Sequence, residues 1–264
     1  MGSASKLNRI AVIFHAERIS RNRLSAAIDS AMAASGGNSN WDEPLWLPTS
    51  ATETGGPQAV RARAQGATHI LVAGGDGTVR SVSESLVASN AAGFSLGILP
   101  IGTGNILARN LNMNLNNVQQ AVERGLTGVE HEIDAGLVRM VFEDGSRATH
   151  YFTALAGVGL DARIMANTRS HLKRQLGWIA YIEGGLRALP AKFDRLTVSV
   201  DGRESRQLKL YSLMVGNAGW LPGNMSLLPD ARLDDGKLAV AAIGPRRIWN
   251  WIDFWSRVTW QNRV

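Results

Sequence analysis

The first half of the chain alternates short apolar runs with stretches of helical spacing. Apolar runs of strand length occur at 10–14, 69–73 and 94–99, with a weaker one at 43–47. Such runs are typical of strands that are buried on both faces of a parallel sheet. The stretches between them predict helices at 21–35, 58–65, 78–87, 106–111 and 118–124. This alternation predicts a doubly wound α/β domain over residues 1–128.

The pattern changes after Gly128. Strand-like stretches follow one another at 129–142, 149–155, 196–200, 207–215 and 237–243, with the turn signals Glu143-Asp144-Gly145 and Asp201-Gly202 between them. One helix is predicted at 172–189. The tail, with Trp251 and Trp255 on one face, predicts a helix docked on its own domain, or alternatively a helix on a membrane surface. Residues 129–264 are therefore predicted to form an antiparallel β-sandwich with a C-terminal helix.

The stretch Gly74-Gly75-Asp76-Gly77-Thr78 lies between a predicted strand and a predicted helix. Glycines lack the Cβ atoms that would keep a phosphate away from the backbone, and a helix N-terminus offers free N–H donors. The carboxylate of Asp76 would repel a bare phosphate. Its presence therefore indicates a bridging Mg²⁺, and hence Mg–ATP rather than a free anion. An ordinary strand–helix turn is the other interpretation of these glycines.

A second glycine loop, Gly102-Thr103-Gly104-Asn105, follows the strand predicted at 94–99. Ligands bind at the C-terminal ends of the strands in doubly wound sheets, so we expect both loops at one site. The hydroxyl groups of Thr78 and Thr103 would contact phosphate oxygens. Thr49, which follows the weaker strand, could do the same, although its spacing alone favours a simple turn residue.

Composition restricts the class of protein and its partners. The chain has 264 residues, a formal net charge of +6 and no cysteine. This excludes a disulfide framework and thiolate metal sites, fits a reducing compartment, and permits anionic partners such as nucleotides or lipids. Without a dense Lys/Arg run or a nucleic-acid motif, a nucleic-acid partner is not expected. No signal peptide and no apolar run of transmembrane length is visible in the sequence.

Asp134 and the acidic stretch from Pro229 to Leu238 each allow two interpretations. Asp134 lies between apolar neighbours near the predicted domain junction, where it is either paired to the backbone or poised for function. The stretch from Pro229 to Leu238 is an acidic turn that enters a strand. Its carboxylates and main-chain oxygens could hold a hard cation, although a solvated Asp-Gly turn is commoner.

These motifs, in this order and spacing, resemble the diacylglycerol kinase catalytic family, which includes bacterial lipid kinases and the sphingosine and ceramide kinases. The resemblance spans nearly the whole chain. Besides the two glycine loops it rests on Ile133-Asp134-Ala135-Gly136, Ala156 to Ala162, Val215-Gly216-Asn217, and Pro229 to Leu238. The segment Asn105 to Leu111 is similar to a variant found in actinobacterial members.

The resemblance implies a two-domain fold with ATP and Mg²⁺ bound in the cleft between the domains. Asp76 would be the catalytic residue that organises the phosphates and the metal. The nucleotide would be bound by both loops and one further threonine: Thr49, Gly74, Gly75, Asp76, Gly77, Thr78, Gly102, Thr103, Gly104 and Asn105. A structural Mg²⁺ would lie near Asp235, with main-chain oxygens at Arg232 and Lys237.

The implied reaction is transfer of the γ-phosphoryl group of ATP to a lipid hydroxyl, in the first place that of diacylglycerol, which gives phosphatidic acid. Positioning and charge neutralisation would carry the catalysis. Such an enzyme would be cytoplasmic and peripheral at the inner face of the membrane. The resemblance leaves open whether the chain forms a homodimer.

The sequence departs from the family pattern at three places. Phe14-His15 stands where an Asn-Pro pair often follows the first strand, and Ile106 stands where many members carry Asp. Members usually continue to a late acidic segment that supplies the presumed general base, whereas this sequence ends at Val264. A truncated or inactive nucleotide- or lipid-binding module is therefore one alternative. The NAD kinases, which share the first glycine loop, are the other.

Overall fold

The structure, a computed structural model, describes residues 8–34, 41–90, 93–159 and 194–244. The helices predicted at 172–189 and in the tail lie outside these ranges. The chain forms two compact units, Met1–Thr153 and Ala154–Val264. This division follows Thr153, whereas the boundary predicted from the sequence pattern follows Gly128. The difference is a β-hairpin that belongs to the first unit.

A parallel sheet of four strands is the centre of the first unit. Its strands are β1 (Ile10–Phe14), β2 (Leu45–Pro48), β3 (His69–Gly74) and β4 (Ser95–Pro100), in the order β2-β1-β3-β4. The helices are α1 (Arg21–Ala34), α2 (Gly56–Ala64), α3 (Asp76–Ala88), α4 (Ile106–Asn110) and α5 (Val118–Thr127). The predicted strands and helices of this half are thus all present, with shifted ends.

The core explains why the strands have apolar runs. Residues 10–13 of β1 and 70–73 of β3 are fully buried, because helices cover both faces of the sheet. On one face Val12, Leu71 and Leu99 pack with the buried residues of α1 and α5. On the other face α2 packs against α3. The predicted doubly wound arrangement is confirmed.

A hairpin of β5 (Gly136–Val141) and β6 (Arg147–Phe152) completes the first unit. The turn predicted at Glu143-Asp144-Gly145 is present, with Gly145 at a φ of 80°. The prediction of a strand from 129 onward is wrong for residues 129–135, which are irregular. The strand predicted at 149–155 is also divided, because β6 ends at Phe152 and Leu155 begins a strand of another sheet.

The second unit is built from antiparallel strands. They are β7 (Leu155–Gly159), β8 (Asp194–Val198), β9 (Arg206–Leu210), β10 (Ser212–Gly216), β11 (Trp220–Leu221), β12 (Met225–Ser226) and β13 (Ala239–Ile243). Their pairings among the described residues are β13-β10-β7, β8-β9 and β11-β12. The single strand predicted at 207–215 is wrong: it breaks at Tyr211, because β9 pairs with β8 whereas β10 pairs with β7 and β13. In the described ranges no helix has the length and apolar character needed to cross a bilayer.

Glu84 anchors the hairpin β5–β6 to helix α3. Its side chain is 22% exposed and lies 2.8 Å from His150 Nδ1. It also accepts hydrogen bonds from the Tyr151 N–H at 3.3 Å and from Arg80 at 2.9 Å. One carboxylate therefore joins both elements.

We expect Glu84→Gln to destabilise the first unit by about 1–3 kcal/mol, the usual cost of losing hydrogen bonds to a charged group. The free energy of unfolding in urea measures this. Glu132→Gln, at an exposed position before β5, is the matched control and should change it by less than about 0.5 kcal/mol. Equal effects of the two changes would contradict the anchoring role.

His69 makes the stability of the first unit depend on pH. Its ring lies edge-on to Trp41 with 4.7 Å between centroids, and burial lowers the pKa of the imidazole against a smaller opposing effect of Glu130. The unfolded chain therefore binds a proton at His69 at higher pH than the folded chain does. Stability should fall as the pH decreases through about 6.5, the unfolded pKa. Unfolding at about pH 7.5 and 5.5 tests this, with a weaker pH dependence expected for His69→Gln.

Candidate functional site

The loops predicted to bind a ligand meet at the C-terminal edge of the parallel sheet. Phe14 at the end of β1 pairs with Pro48 of β2 and with Ala73 of β3, and Gly74 pairs with Pro100 of β4. The loops after β2, β3 and β4 carry Thr49, 74–78 and 102–105 respectively. Strand order reverses between β1 and β3, which is the position of ligand crevices in sheets of this kind.

The two glycine loops are in direct backbone contact. The Ile101 N–H donates to the Gly74 carbonyl oxygen at 3.3 Å. A Cβ atom on Gly102 would lie 2.4 Å from the Gly75 Cα, closer than real Cβ contacts come. Glycine at 102 therefore allows the backbones of the two loops to approach.

Asp76 joins the loops electrostatically. One carboxylate oxygen accepts the Asn105 N–H at 2.8 Å, and the other accepts the Ile106 N–H at 2.5 Å. Ile106 begins helix α4, so Asp76 satisfies donors at a helix N-terminus from another loop. This gives the carboxylate a structural task that the sequence did not reveal.

Asn105 fixes the shape of the second loop. It is buried, with 7% exposure, and adopts the left-handed conformation with φ 49°. Its side-chain oxygen accepts the Gly102 N–H at 3.0 Å, and its amide donates to the Gly102 carbonyl at 2.8 Å. Asparagine suits this position because it tolerates the left-handed region and bonds to nearby backbone.

The glycines of the first loop have different surroundings. A Cβ on Gly74 would lie 2.6 Å from the Thr78 Cβ, so the space there is filled by Thr78. A Cβ on Gly77 would meet nothing within 4 Å, in the first turn of α3. Among the described residues, open space therefore lies beside Gly77 and not beside Gly74.

The three predicted threonines are placed differently. Thr49 lies at the sheet edge, where its N–H donates to the Phe14 carbonyl at 2.8 Å and its hydroxyl lies 3.4 Å from the same oxygen. Thr78 packs against Gly74, and Thr103 is exposed at the tip of its loop. Phosphate contacts of these hydroxyl groups stay a prediction.

Two side chains support the loop that carries Thr49. Gln58, fully buried, donates from its amide to the Pro48 and Glu53 carbonyls at 2.9 and 3.2 Å. The carboxylate of Glu53 is bound by Arg61 at 2.7 and 3.1 Å, and the hydrogen bond from Arg61 lowers the pKa of Glu53. The loop is thus held at the sheet edge by helix α2.

The edge also carries two arginines that the sequence analysis did not single out. Arg18, in the loop after β1, donates from Nη1 to the Ile101 carbonyl at 3.3 Å. Arg109 of α4 donates from Nε to the Gly104 carbonyl at 2.7 Å. In the sequence, these two arginines are distinguished only by lying within a few positions of a strand end or a glycine loop.

The residues predicted to hold a structural metal lie in the second unit. The Lys237 N–H donates to the Asp235 carboxylate at 3.0 Å, and Arg232 pairs with Asp234 at 3.4 Å. This is an Asp-Gly turn with Gly236 at a φ of 69°. In the part of the chain that the structure describes, no group of three His, Cys, Asp or Glu residues could hold a metal ion. Asp134, half-buried in the segment before β5, has an interaction partner.

Two family models match this chain. The diacylglycerol kinase catalytic domain matches residues 46–138, which include both glycine loops. The YegS C-terminal NAD kinase beta sandwich-like domain matches residues 154–258. Residues 46–138 thus form a diacylglycerol kinase catalytic domain. The resemblance stated from the motifs is confirmed, and so is the fold of an α/β domain followed by a β-sandwich domain.

Two curated proteins are similar to this chain over its larger part. A "Probable lipid kinase YegS-like" of Xanthomonas euvesicatoria is 30% identical over 186 residues, 69% of this chain and 58% of that protein. The "Diacylglycerol kinase" of Bacillus subtilis is 30% identical over 169 residues, 63% of this chain and 52% of that protein. These matches span little more than half the length of the relatives.

Solved structures agree on the fold. A crystal structure of a diacylglycerol kinase from Bacillus anthracis superposes with a TM-score of 0.68 at 23% identity, covering 96% of this chain and 79% of that one. At this identity the similarity concerns the fold of the chain.

Proposed function

We propose that this chain is an ATP- and Mg²⁺-dependent lipid kinase whose two glycine loops bind the nucleotide phosphates. The observation that carries the proposal is the junction of the loops at the sheet edge, where Asp76 ties the second loop to the start of α3. The first turn of a helix leaves N–H groups without partners inside the helix, and these attract anions. Beside Gly77 there is room for such an anion.

The donor set fits Mg²⁺ as nucleotide-dependent enzymes use it. They bind Mg²⁺ through one or two carboxylates and the phosphates of the substrate. Asp76 supplies a carboxylate at the loop junction, and each of its oxygens accepts one backbone N–H, which leaves further acceptor capacity. When bound, Mg²⁺ would neutralise phosphate charge. The residues of the chain would hold the phosphates still and orient them.

The proposed acceptor is a lipid alcohol, with diacylglycerol as the first candidate. The names of the curated relatives, lipid kinase and diacylglycerol kinase, support this class of substrate. An acceptor that resides in a bilayer favours peripheral contact with the membrane, as proposed for this chain. The metal at the Asp235 turn and a homodimer also remain proposals.

The test is phosphorylation by the 264-residue chain. Radiolabelled ATP is supplied with Mg²⁺ and, one at a time, with diacylglycerol, monoacylglycerol, ceramide and sphingosine in detergent micelles, and lipid products are separated by chromatography. Label transfer to a lipid, lost with EDTA, is expected. NAD as acceptor is the control for the NAD kinase alternative.

Calorimetric titration with ATP distinguishes the other outcomes. ATP binding without label transfer to any lipid would identify an inactive nucleotide-binding module and overturn the kinase activity of this chain. Absence of both binding and transfer would overturn the nucleotide site as well. Label transfer to NAD alone would replace the lipid acceptor by a nucleotide.

A further inference from the structure

Arg18 is a cation placed over the loop junction. Its backbone N–H donates to the His15 carbonyl at 2.9 Å, which holds Arg18 in the turn directly after β1. Its guanidinium reaches the Ile101 carbonyl, in the residue that follows β4, at 3.3 Å. In the sheet order β2-β1-β3-β4, strand β3 separates these two ends. The side chain therefore crosses the C-terminal end of β3, a span of about two strand spacings, or about 10 Å.

The end of β3 is the beginning of the first glycine loop. Ile101, which accepts from Arg18, itself donates its N–H to the Gly74 carbonyl at 3.3 Å. The next residue, Gly102, is the one whose backbone approaches Gly75. The guanidinium thus lies next to the contact between the loops, on the same sheet edge as the start of α3.

The guanidinium has most of its hydrogen-bonding capacity available. Arginine has five N–H donors, and the bond to Ile101 uses one of them at a long distance. Among the described residues no carboxylate lies within ion-pair distance of Arg18. The residue is exposed, so the charge is accessible from solvent. A planar fork of donors suits phosphate oxygens in particular.

We infer that Arg18 is a phosphate-contacting residue of the nucleotide site, directed at the β- and γ-phosphates. The inference rests on the proposed function, because it takes the phosphates to lie at the loop junction. In this arrangement the start of α3 contacts the phosphates on one side. Arg18, in the loop after β1, contacts them on the other side. The bond to the Ile101 carbonyl keeps the guanidinium in position while no phosphate is present.

The test compares nucleotides with different numbers of phosphates. Dissociation constants of ATP, ADP, AMP and adenosine are measured by calorimetry for the wild-type chain, Arg18→Gln and Arg18→Lys. Loss of charged hydrogen bonds to a phosphate should weaken ATP and ADP binding about 10- to 100-fold in Arg18→Gln. AMP and adenosine should change less than about threefold. Arg18→Lys keeps the charge but loses the fork and should lie between.

Arg23→Gln is the matched control. Arg23 lies in the first turn of α1, five positions further on, and its exposed side chain makes no hydrogen bond or ion pair with a described residue. The change removes the same charge from the same region. It should leave all four affinities within about twofold of wild type, because an exposed charge without a contact partner contributes little.

Two outcomes would overturn the inference that Arg18 contacts phosphate. Equal weakening of ATP, AMP and adenosine would assign Arg18 to holding the loop alone, and unchanged ATP affinity would also overturn the contact. Thermal unfolding without nucleotide identifies a folding defect of Arg18→Gln, in which case Arg18→Lys decides. If wild type binds ATP and the Arg18 variants bind it equally, the inference fails while the proposed function stands. If wild type binds no nucleotide, both fail.

Discussion

Asp76→Asn should lower the rate of lipid phosphorylation at least about 100-fold, the usual effect of removing an electrostatic group from a phosphoryl-transfer site. The amide has the shape of the carboxylate but not its charge, so it is a poor partner for Mg²⁺. Its oxygen can accept only one of the two N–H groups that the carboxylate accepts, from Asn105 and Ile106. Its nitrogen would then face the other donor.

The same substitution should also cost stability, because each hydrogen bond to a charged group contributes about 1.5–3 kcal/mol. Urea unfolding together with the phosphorylation rate separates the two effects. Asp29→Asn, on the exposed surface of α1, is the matched control and should change neither. A rate of Asp76→Asn within about threefold of wild type would remove the residue from the catalytic machinery.

Much of the first unit could be predicted because its buried strands have recognisable apolar runs in the sequence. Residues 10–13 of β1 and 70–73 of β3 are apolar and fully buried because helices cover both sheet faces. The carboxyl ends of these strands then had to meet at one edge, so the position of the candidate site followed from the topology.

The details that failed depend on partners distant in sequence. Residues 129–135 have strand-like composition, but a strand also needs a neighbour with free backbone groups. The break at Tyr211 comes from β9 and β10 pairing with different strands, which composition does not encode. The bonds of Asp76 were hidden for the same reason: its partners are backbone N–H groups 29 and 30 positions away, and a backbone donor carries no side-chain signature.

Two substitutions should distinguish the packing of the glycine loops from their proposed binding of phosphate. Gly102→Ala disturbs the contact between the loops, and Gly77→Ala fills the space proposed for the phosphates. The added methyl group at 102 would lie 2.4 Å from the Gly75 Cα and 2.6 Å from the Asn105 side-chain oxygen. Backbone on one side and a buried, fully bonded side chain on the other leave little room for relaxation. We expect Gly102→Ala to destabilise the first unit by about 1–3 kcal/mol, as overpacking does, and to weaken ATP binding because the loops are forced apart.

Gly77→Ala should leave the fold intact and still impair the site. The added methyl group meets nothing within 4 Å, and alanine in a helical turn is favoured over glycine by about 0.5–1 kcal/mol. That methyl group would, however, occupy the space proposed for the phosphates. Unfolding in urea and ATP titration should therefore give a chain at least as stable as wild type whose ATP affinity is reduced about 10-fold or more. Unchanged ATP affinity in Gly77→Ala would exclude phosphate from the first turn of α3, since a methyl group there cannot coexist with a phosphate in contact with the backbone.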